Sequence, residues 1–138
     1  MEEGPASMVS DSSTIDGTGK LVMVVDDETM VATLFDEILS SYNYGVEVYN
    51  SSTEALEAYK SSPNRYDLVI SDHTMPNMTG AELSQNILSL NPDQPIILCT
   101  GYSDYIDEEK AGELGVAAFM HKPLDHNELM RTVDILTA

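Results

Sequence analysis

The stretch DLVISDHTMPNMTG, residues 67–80, carries a hydrophobic run straight into a carboxylate. Residues 68–71, LVIS, are typical of a short strand that is buried on both faces. Asp72 follows at once, and Pro76 and Gly80 behind it predict a loop before the next element. A carboxylate at the end of a buried strand is costly unless it is solvated or paired. The residues that end the other strands therefore decide what Asp72 does.

Four more apolar runs along the chain predict strands, and helical patterns separate them. The runs are LVMVV (21–25), GVEVY (45–49), IILC (96–99) and AAFM (117–120). Helical spacing and capping patterns predict helices that begin near residues 30, 51, 79, 104 and 125. Gly115 is predicted to end the fourth of these helices. The alternation predicts an α/β fold, a doubly wound parallel five-stranded sheet with helices on both faces.

The chain of 138 residues has room for one domain and a tail. Residues 1–19 are mostly polar and follow no helical or strand period, which predicts a flexible tail or interdomain linker before a domain over residues 20–138. The formal net charge of −18 disfavours nucleic acid and anionic membranes as partners and favours cations or basic protein patches. Cys99, the only cysteine, lies in an apolar run, which predicts a core residue in a cytoplasmic protein.

Sites in such sheets form outside the carboxyl ends of the strands. The residues predicted at those ends are Asp26, Asp27, Glu28, Asp72, Thr100, Gly101, His121, Lys122 and Pro123. Clustered carboxylates repel one another, and their oxygen atoms favour a hard cation, Mg²⁺ with Mn²⁺ or Ca²⁺ as alternatives. An aspartate can also attack phosphorus, while a metal, Lys122 and Thr100 stabilise the transferring oxygens. These residues share the edge of the sheet where the strands end, here called the rim, and together they predict a phosphoryl-acceptor site.

Each of these residues also has a simpler explanation. An acidic pair after a strand can serve only to favour the start of the next helix, and Asp72 alone can start a turn. Thr100 can be a plain cap, and Lys122 a solvated charge. Because all four features stand at successive strand ends, a shared site is the favoured interpretation.

The motifs at the rim resemble those of the receiver domain of two-component response regulators, over residues 20–137. VVDDE (24–28) resembles the acidic pair of that family, and DLVISDHTMPNMTG its phosphoacceptor loop. LCTGYSD (98–104) resembles its threonine switch, and FMHKP (119–123) its Lys-Pro motif. The resemblance implies a (βα)5 fold with the flavodoxin-like strand order 2-1-3-4-5.

The resemblance implies that Asp72 accepts a phosphoryl group from a phosphohistidine on a sensor histidine kinase or a histidine phosphotransfer protein. Asp27, Asp72 and the backbone carbonyl of Thr74 would ligate Mg²⁺ directly, and Asp26 would act mostly through water. Thr74 also occupies a position that tunes dephosphorylation in the family. Such a receiver is not a conventional enzyme, because it catalyses only its own phosphorylation and dephosphorylation.

The remaining motifs imply a conformational switch. Lys122 would pair with the phosphoryl oxygens, Thr100 would move toward them, and the Lys122–Pro123 peptide bond would be cis. Phe119 stands where the family often has a tyrosine, so its coupling to Thr100 would rest on packing alone. Tyr102 occupies a second tuning position, and its bulk is expected to hinder the approach of water.

Two questions about the biological role stay open at this point. A receiver that only docks partners would share every motif, and Mg²⁺-dependent phosphorylation must separate it from a working phosphoacceptor. The polar residues 1–19 and the LCTGYSD motif resemble receivers of hybrid sensor histidine kinases more than stand-alone receivers. The resemblance therefore predicts a fragment of a hybrid kinase, with a stand-alone receiver as the alternative.

Functions from other classes fit the residues less well. A flavodoxin-like flavin carrier would need a phosphate-binding loop after the first strand, where DDETM (26–30) is acidic. An aspartyl-phosphate phosphohydrolase would need a second acid where Thr74 stands. The three histidines match no zinc spacing: His73, His121 and His126. His73 and His121 stand beside site residues in the sequence and are expected to point away from the rim.

Overall fold

The computed structural model describes residues 15–101, 112–122 and 124–138. The strands are β1 (Leu21–Val25), β2 (Gly45–Tyr49), β3 (Leu68–Asp72), β4 (Ile96–Thr100) and β5 (Ala118–His121). The helices are α1 (Thr29–Ser41), α2 (Ser52–Ser61), α3 (Gly80–Leu90) and α4 (His126–Thr137). Most of the helix predicted over 104–114 lies outside the described residues, but residues 112–114 are helical. Gly115 follows with a φ of 87°, so it ends that helix as predicted.

The five strands form one parallel sheet in the order β2-β1-β3-β4-β5. This order confirms the predicted fold class. The register places Val25 opposite Ser71, Asp72 opposite Cys99 and Thr100 opposite His121. Because the strands are parallel and end in step, the residues after them meet at one edge of the sheet.

Helices cover both faces of the sheet. Alternate residues of β1 point to opposite faces, so the strand contributes to a core on each side. The core on one face includes Val22, Val24, Phe35, Leu39, Leu129 and Val133. The core on the other face includes Met23, Val25, Tyr59, Leu83 and Ile87. The first core joins the sheet to α1 and α4, and the second joins it to α2 and α3. Burial on both sides explains why β1, β3 and β4 are nearly continuous apolar runs.

Side-chain caps start three of the helices where the sequence predicts them. Thr79 and Glu82 form the full capping box of α3, with Thr79 N donating to Glu82 Oε1 at 2.9 Å. Ser51 caps α2 by accepting from Glu54 N at 3.3 Å. Asp125 caps α4 through two backbone N–H groups of its first turn. The caps fix where α3 and α4 begin after the rim of the sheet.

Packed contacts begin before the predicted domain start at residue 20. Ile15 is buried in the core beneath α1 and α4. Gly17 N donates to Tyr42 O at 2.7 Å, and Lys20 Nζ donates to the carbonyl of Thr137. Residues 15–19 therefore pack against the domain, and the predicted tail needs correcting at that end. The rest of the tail, residues 1–14, lies outside the described residues.

Cys99 is buried in the sheet, as expected of a core residue. Burial raises the pKa of its thiol to about 12, so the thiolate form is strongly disfavoured. Within residues 15–101, 112–122 and 124–138, none of the helices has the length and apolar character that a membrane crossing needs.

Replacing Gly17 with alanine is expected to destabilise the domain. A Cβ atom at this position would lie 2.2 Å from Cγ of Tyr44, whose ring is itself buried. Such overpacking typically costs about 1–3 kcal/mol. Urea unfolding measures the loss in the free energy of unfolding.

Gly45→Ala is the matched control for this substitution. A Cβ at Gly45 would lie 3.4 Å from its nearest neighbours, which is an ordinary contact distance. The control is expected to keep wild-type stability within about 0.5 kcal/mol. Equal stability of the two variants would show that residues 15–19 do not pack as described.

Candidate functional site

Asp26 is held at the end of β1 by three hydrogen bonds. Its backbone N–H donates to Tyr49 O at 3.1 Å, which extends the pairing of β1 with β2. Its Oδ1 accepts from Glu28 N at 2.9 Å and closes the turn into α1. Asn50 Nδ2 donates to the Asp26 carbonyl at 3.0 Å. Asp26 is therefore fixed on both sides and only 1% exposed.

Asp72 ends β3, and the loop behind it folds back onto its own backbone. His73 N donates to Cys99 O at 2.9 Å, and Gly80 N donates to His73 O at 2.8 Å. A Cβ at Gly80 would lie 2.2 Å from the carbonyl oxygen of Asp72, so only glycine permits this approach. The His73 ring accepts from Ala81 N at 3.3 Å through Nδ1. That contact joins the ring to the first turn of α3.

The carboxylates of Asp26, Asp27 and Asp72 converge at this edge of the sheet. Each offers an oxygen atom, and these atoms lie within 4.8 Å of one another. Asp26 and Asp72 are buried, whereas Asp27 is exposed. The structure thus brings together the three acidic residues that the sequence singled out.

Lys122 reaches the acidic cluster from the end of β5. Its Nζ lies 2.9 Å from Asp72 Oδ1 and 3.4 Å from Asp26 Oδ2. Its backbone N–H donates to Thr100 O at 2.7 Å, which continues the pairing of β4 with β5. The ammonium group is therefore placed by the sheet itself, and it contacts the two buried carboxylates directly.

The acidic cluster holds more negative than positive charge, and its burial shifts the pKa values of its members. Burial raises the pKa of Asp72 to about 6; the Lys122 hydrogen bond opposes the rise, and the charges of Asp26 and Asp27 add to it. Burial also raises the pKa of Asp26. Burial lowers the pKa of Lys122, but the two carboxylates outweigh this effect and leave it above its ordinary value. Three carboxylates around one ammonium group leave a deficit of positive charge.

A hard divalent cation fits this deficit. The donor set consists of carboxylate oxygens alone, which suits Mg²⁺ or Mn²⁺ and differs from the nitrogen and sulfur sets of zinc. Asp26, Asp27 and Asp72 are the residues that would hold the ion. The backbone carbonyl of Thr74 stays a predicted further ligand.

The predicted switch residues, Thr100 and Phe119, lie on β4 and β5. Thr100 ends β4 and is fully buried, and Phe119 on β5 is half-buried. Thr100 Oγ1 lies 3.5 Å from His121 Nδ1, and the His121 ring packs edge-on against Phe119 with centroids 5.0 Å apart. The expectation that His121 points away from the site residues is therefore wrong. His121 pairs with Thr100 across the strands, and side chains of paired residues share a face.

Two predicted site features fall outside the described residues. They are the tuning position Tyr102 and the cis peptide bond between Lys122 and Pro123. Both stay predictions.

An apolar groove of about 380 Å³ lies between α1 and α4, and Lys122 is one of the residues that line it. Its main apolar residues are Val31, Leu34, Phe35, Ile38, Leu124 and Leu129. Leu34 is 55% exposed, and Met30 on the same helix is 86% exposed. Clustered exposed apolar side chains of this kind mark contact surfaces on soluble proteins.

Residues 22–134 match the family of response regulator receiver domains. The chain belongs to this family. The transcriptional regulatory protein ZraR of Escherichia coli (strain K12) is 32% identical to this receiver over 113 residues, which are 82% of this chain and 25% of that protein. The two-component response regulator ARR12 of Arabidopsis thaliana is 32% identical over 111 residues, 80% of this chain and 18% of that protein. This receiver spans a quarter or less of these relatives.

Solved structures of other receivers share the fold. A receiver domain protein from Clostridium thermocellum is 25% identical with a TM-score of 0.81, over 86% of this chain and 94% of that chain. The CheY-like receiver from Methanospirillum hungatei is 27% identical with a TM-score of 0.74, over 83% and 90% of the two chains. Receiver domains bind Mg²⁺ at an acidic pocket and interact with histidine kinases or phosphotransfer proteins. This receiver also has an acidic cluster, formed by Asp26, Asp27 and Asp72.

Replacing Asp72 with asparagine is expected to stabilise the metal-free receiver at neutral pH. Burial raises the pKa of the Asp72 carboxyl from 3.8 to about 6, so folding disfavours its ionised form. One pKa unit corresponds to about 1.4 kcal/mol, and asparagine removes the charge. A gain of about 1–3 kcal/mol in the free energy of unfolding is expected, measured by urea unfolding in EDTA.

This gain should depend on pH. The folded receiver holds the Asp72 proton more tightly than the unfolded chain does, so wild-type stability falls relative to the variant as pH rises from about 4 to about 6. Below this window the carboxyl is neutral in both states, and the gain disappears. Asp93→Asn, at an exposed loop position, is the control and should change little at any pH. A variant less stable than wild type at pH 7 would contradict the unfavourable burial of the Asp72 charge.

Proposed function

We propose that the protein is a working phosphoacceptor, in which Asp72 takes a phosphoryl group from a phosphohistidine. The proposal rests on one observation above the others: the buried Asp72 carboxylate lies 2.9 Å from Lys122 Nζ and beside the carboxylates of Asp26 and Asp27. In the transfer, an Oδ atom of Asp72 forms a bond to phosphorus while the bond between phosphorus and the donor's imidazole nitrogen breaks. The donor histidine takes up a proton, and Asp72 becomes an acyl phosphate.

The acidic cluster supports a role for Mg²⁺, or Mn²⁺ in its place, in this reaction. Asp26, Asp27, Asp72 and the carbonyl of Thr74 would hold the ion. When bound, it would neutralise the carboxylates and the oxygens of the phosphoryl group. Asp72 attacks as the carboxylate, and its contact with Lys122 favours that form against the effect of burial.

Lys122 changes partner during the reaction. Before transfer, its ammonium group pairs with Asp72 and Asp26. After transfer, the Asp72 oxygen carries phosphorus, and the phosphoryl oxygens present more negative charge than the carboxylate did. Lys122 then pairs with those oxygens and stabilises the product.

Thr100 and Phe119 form the proposed switch. The Thr100 hydroxyl would donate to a phosphoryl oxygen, which draws the end of β4 toward Asp72. Phe119 has no polar atom in its side chain, so it would follow Thr100 through packing. Phe119 is half-buried, and the proposed switch would turn its ring inward.

The proposed donor is a sensor histidine kinase or a histidine phosphotransfer protein in the cytoplasm. The apolar groove between α1 and α4 supports a protein donor, because it places an unpaired apolar surface next to Lys122. The placement of this receiver inside a hybrid sensor kinase stays a prediction, and neither curated relative named above is described as such a kinase.

Intact mass spectrometry tests the phosphoacceptor directly. Incubation with acetyl phosphate and Mg²⁺ is expected to add one phosphoryl group to the wild-type protein. The adduct should be absent without Mg²⁺ and absent in Asp72→Asn, because one condition lacks the cation and the other lacks the nucleophile.

Asp93→Asn serves as the matched control and should form the adduct normally, since its side chain is exposed and it precedes β4, at the edge of the parallel sheet opposite the rim. Absence of any adduct in folded wild-type protein would favour the alternative function, a receiver that only docks partners. An adduct that survives in Asp72→Asn would place the phosphoryl group on another residue.

Replacing Tyr102 with alanine is expected to shorten the lifetime of the acyl phosphate. The bulk of Tyr102, at the tuning position after Thr100, would otherwise hinder the approach of water to phosphorus. A change of about 1 kcal/mol in the barrier would accelerate hydrolysis about five-fold. Loss of the adduct mass after removal of the phosphodonor measures the rate, and an unchanged half-life would rule out this role.

A further inference from the structure

The Thr100 hydroxyl has a polar neighbour that its proposed role in switching does not use. Thr100 is fully buried at the end of β4, and a buried hydroxyl without a partner is costly. Its Oγ1 lies 3.5 Å from Nδ1 of His121. Phe119, the aromatic switch residue, has no polar atom to offer in place of His121.

We propose that His121 is a positioning residue that holds the Thr100 hydroxyl in the unphosphorylated receiver. The proposal rests on the proposed function, because it concerns the switch that phosphorylation of Asp72 would operate. An imidazole can meet a hydroxyl at Nδ1 as acceptor or as donor, according to its tautomer. His121 thus supplies the polar contact that a phenylalanine at position 119 cannot make.

The pairing of β4 with β5 places the side chains of Thr100 and His121 next to each other. Thr100 and His121 are paired residues of β4 and β5, and their side chains share one face. The backbone N–H of Lys122 donates to Thr100 O at 2.7 Å and keeps the two strand ends in register. The His121 ring stands perpendicular to the Phe119 ring, at an interplanar angle of 89°. Packing against Phe119 therefore orients the imidazole that meets Thr100.

The contact also makes His121 a competitor of the phosphoryl group. The Thr100 hydroxyl has one hydrogen atom, so a hydroxyl that donates to Nδ1 of His121 cannot at the same time donate to a phosphoryl oxygen on Asp72. His121 is exposed, so its ring can turn to solvent once the contact is lost. Each state of the switch then has its own partner for Thr100. An ordinary hydrogen bond shifts an equilibrium by about five-fold, and its loss would favour the switched position by that factor.

Three substitutions of His121 separate a hydrogen bond at Nδ1 from simple packing. His121→Asn places an amide group near the position of Nδ1 and keeps the contact with Thr100. His121→Gln places the same group near the position of Nε2 and loses the contact, although it is the larger side chain. His121→Leu removes all polar atoms. Asn and Gln therefore form a matched pair that differs in reach and not in chemistry.

The first measurement uses the unphosphorylated protein. Three-bond couplings of the Thr100 side chain by NMR report the populations of its rotamers. Wild type and His121→Asn should share one dominant rotamer, and Gln and Leu should shift the ratio by about five-fold. Equal populations in all four proteins would overturn the proposal. So would a shift that is the same in Asn, Gln and Leu, because it would reflect lost ring packing alone.

The second measurement uses beryllofluoride with Mg²⁺ as a phosphoryl mimic. The apparent affinity for beryllofluoride should rise about five-fold in Gln and Leu and stay unchanged in Asn. In wild type, the ¹⁵N shift of His121 Nδ1 should move when beryllofluoride binds, since Thr100 leaves it; an unmoved shift would overturn the proposal even if a variant failed to fold. Wild type that neither binds beryllofluoride nor accepts a phosphoryl group would defeat the proposed function. The rotamer comparison would still decide the role of His121.

Discussion

The ion pairs of Lys122 with Asp72 and Asp26 are the interactions on which the rim depends. Buried carboxylates are tolerated only where opposite charge balances them, and among the described residues the balance here comes from one ammonium group. Lys122 directly follows β5, which is separated from β3 by β4. The parallel register of three strands is therefore a condition for the charge balance, and the helices that cover the sheet keep that register.

Much of the fold follows from patterns that a single sequence displays. Strands that are buried on both faces are almost entirely apolar, so β1, β3 and β4 could be predicted from short apolar runs in the sequence. The ends of these strands can also be predicted, because polar residues follow the apolar runs: Asp26, Asp72 and Thr100. The acidic cluster could be predicted because parallel strands present their carboxyl ends at one edge.

Features that depend on long-range pairing could not be predicted in the same way. Because His121 directly precedes the site residue Lys122, we expected its side chain to point away from the rim. The two-residue period of β5 instead places His121 on the same face as Phe119. Ile15 is one apolar residue in a polar segment, so it forms no period. Its burial depends on the packing of residues 15–19 against the turn after α1, which brings Tyr44 over Gly17.

The loop between Asp72 and Gly80 is closed at its base, by the His73–Gly80 hydrogen bond and by the close approach of Gly80 to the Asp72 carbonyl. A closed loop separates two tasks that an open one would combine. Pro76 and Asn77 are exposed at its tip, whereas Met75 is buried in the core and Thr79 caps α3. The tip alone can therefore change in size or charge without displacing Asp72, which the base of the loop keeps in place.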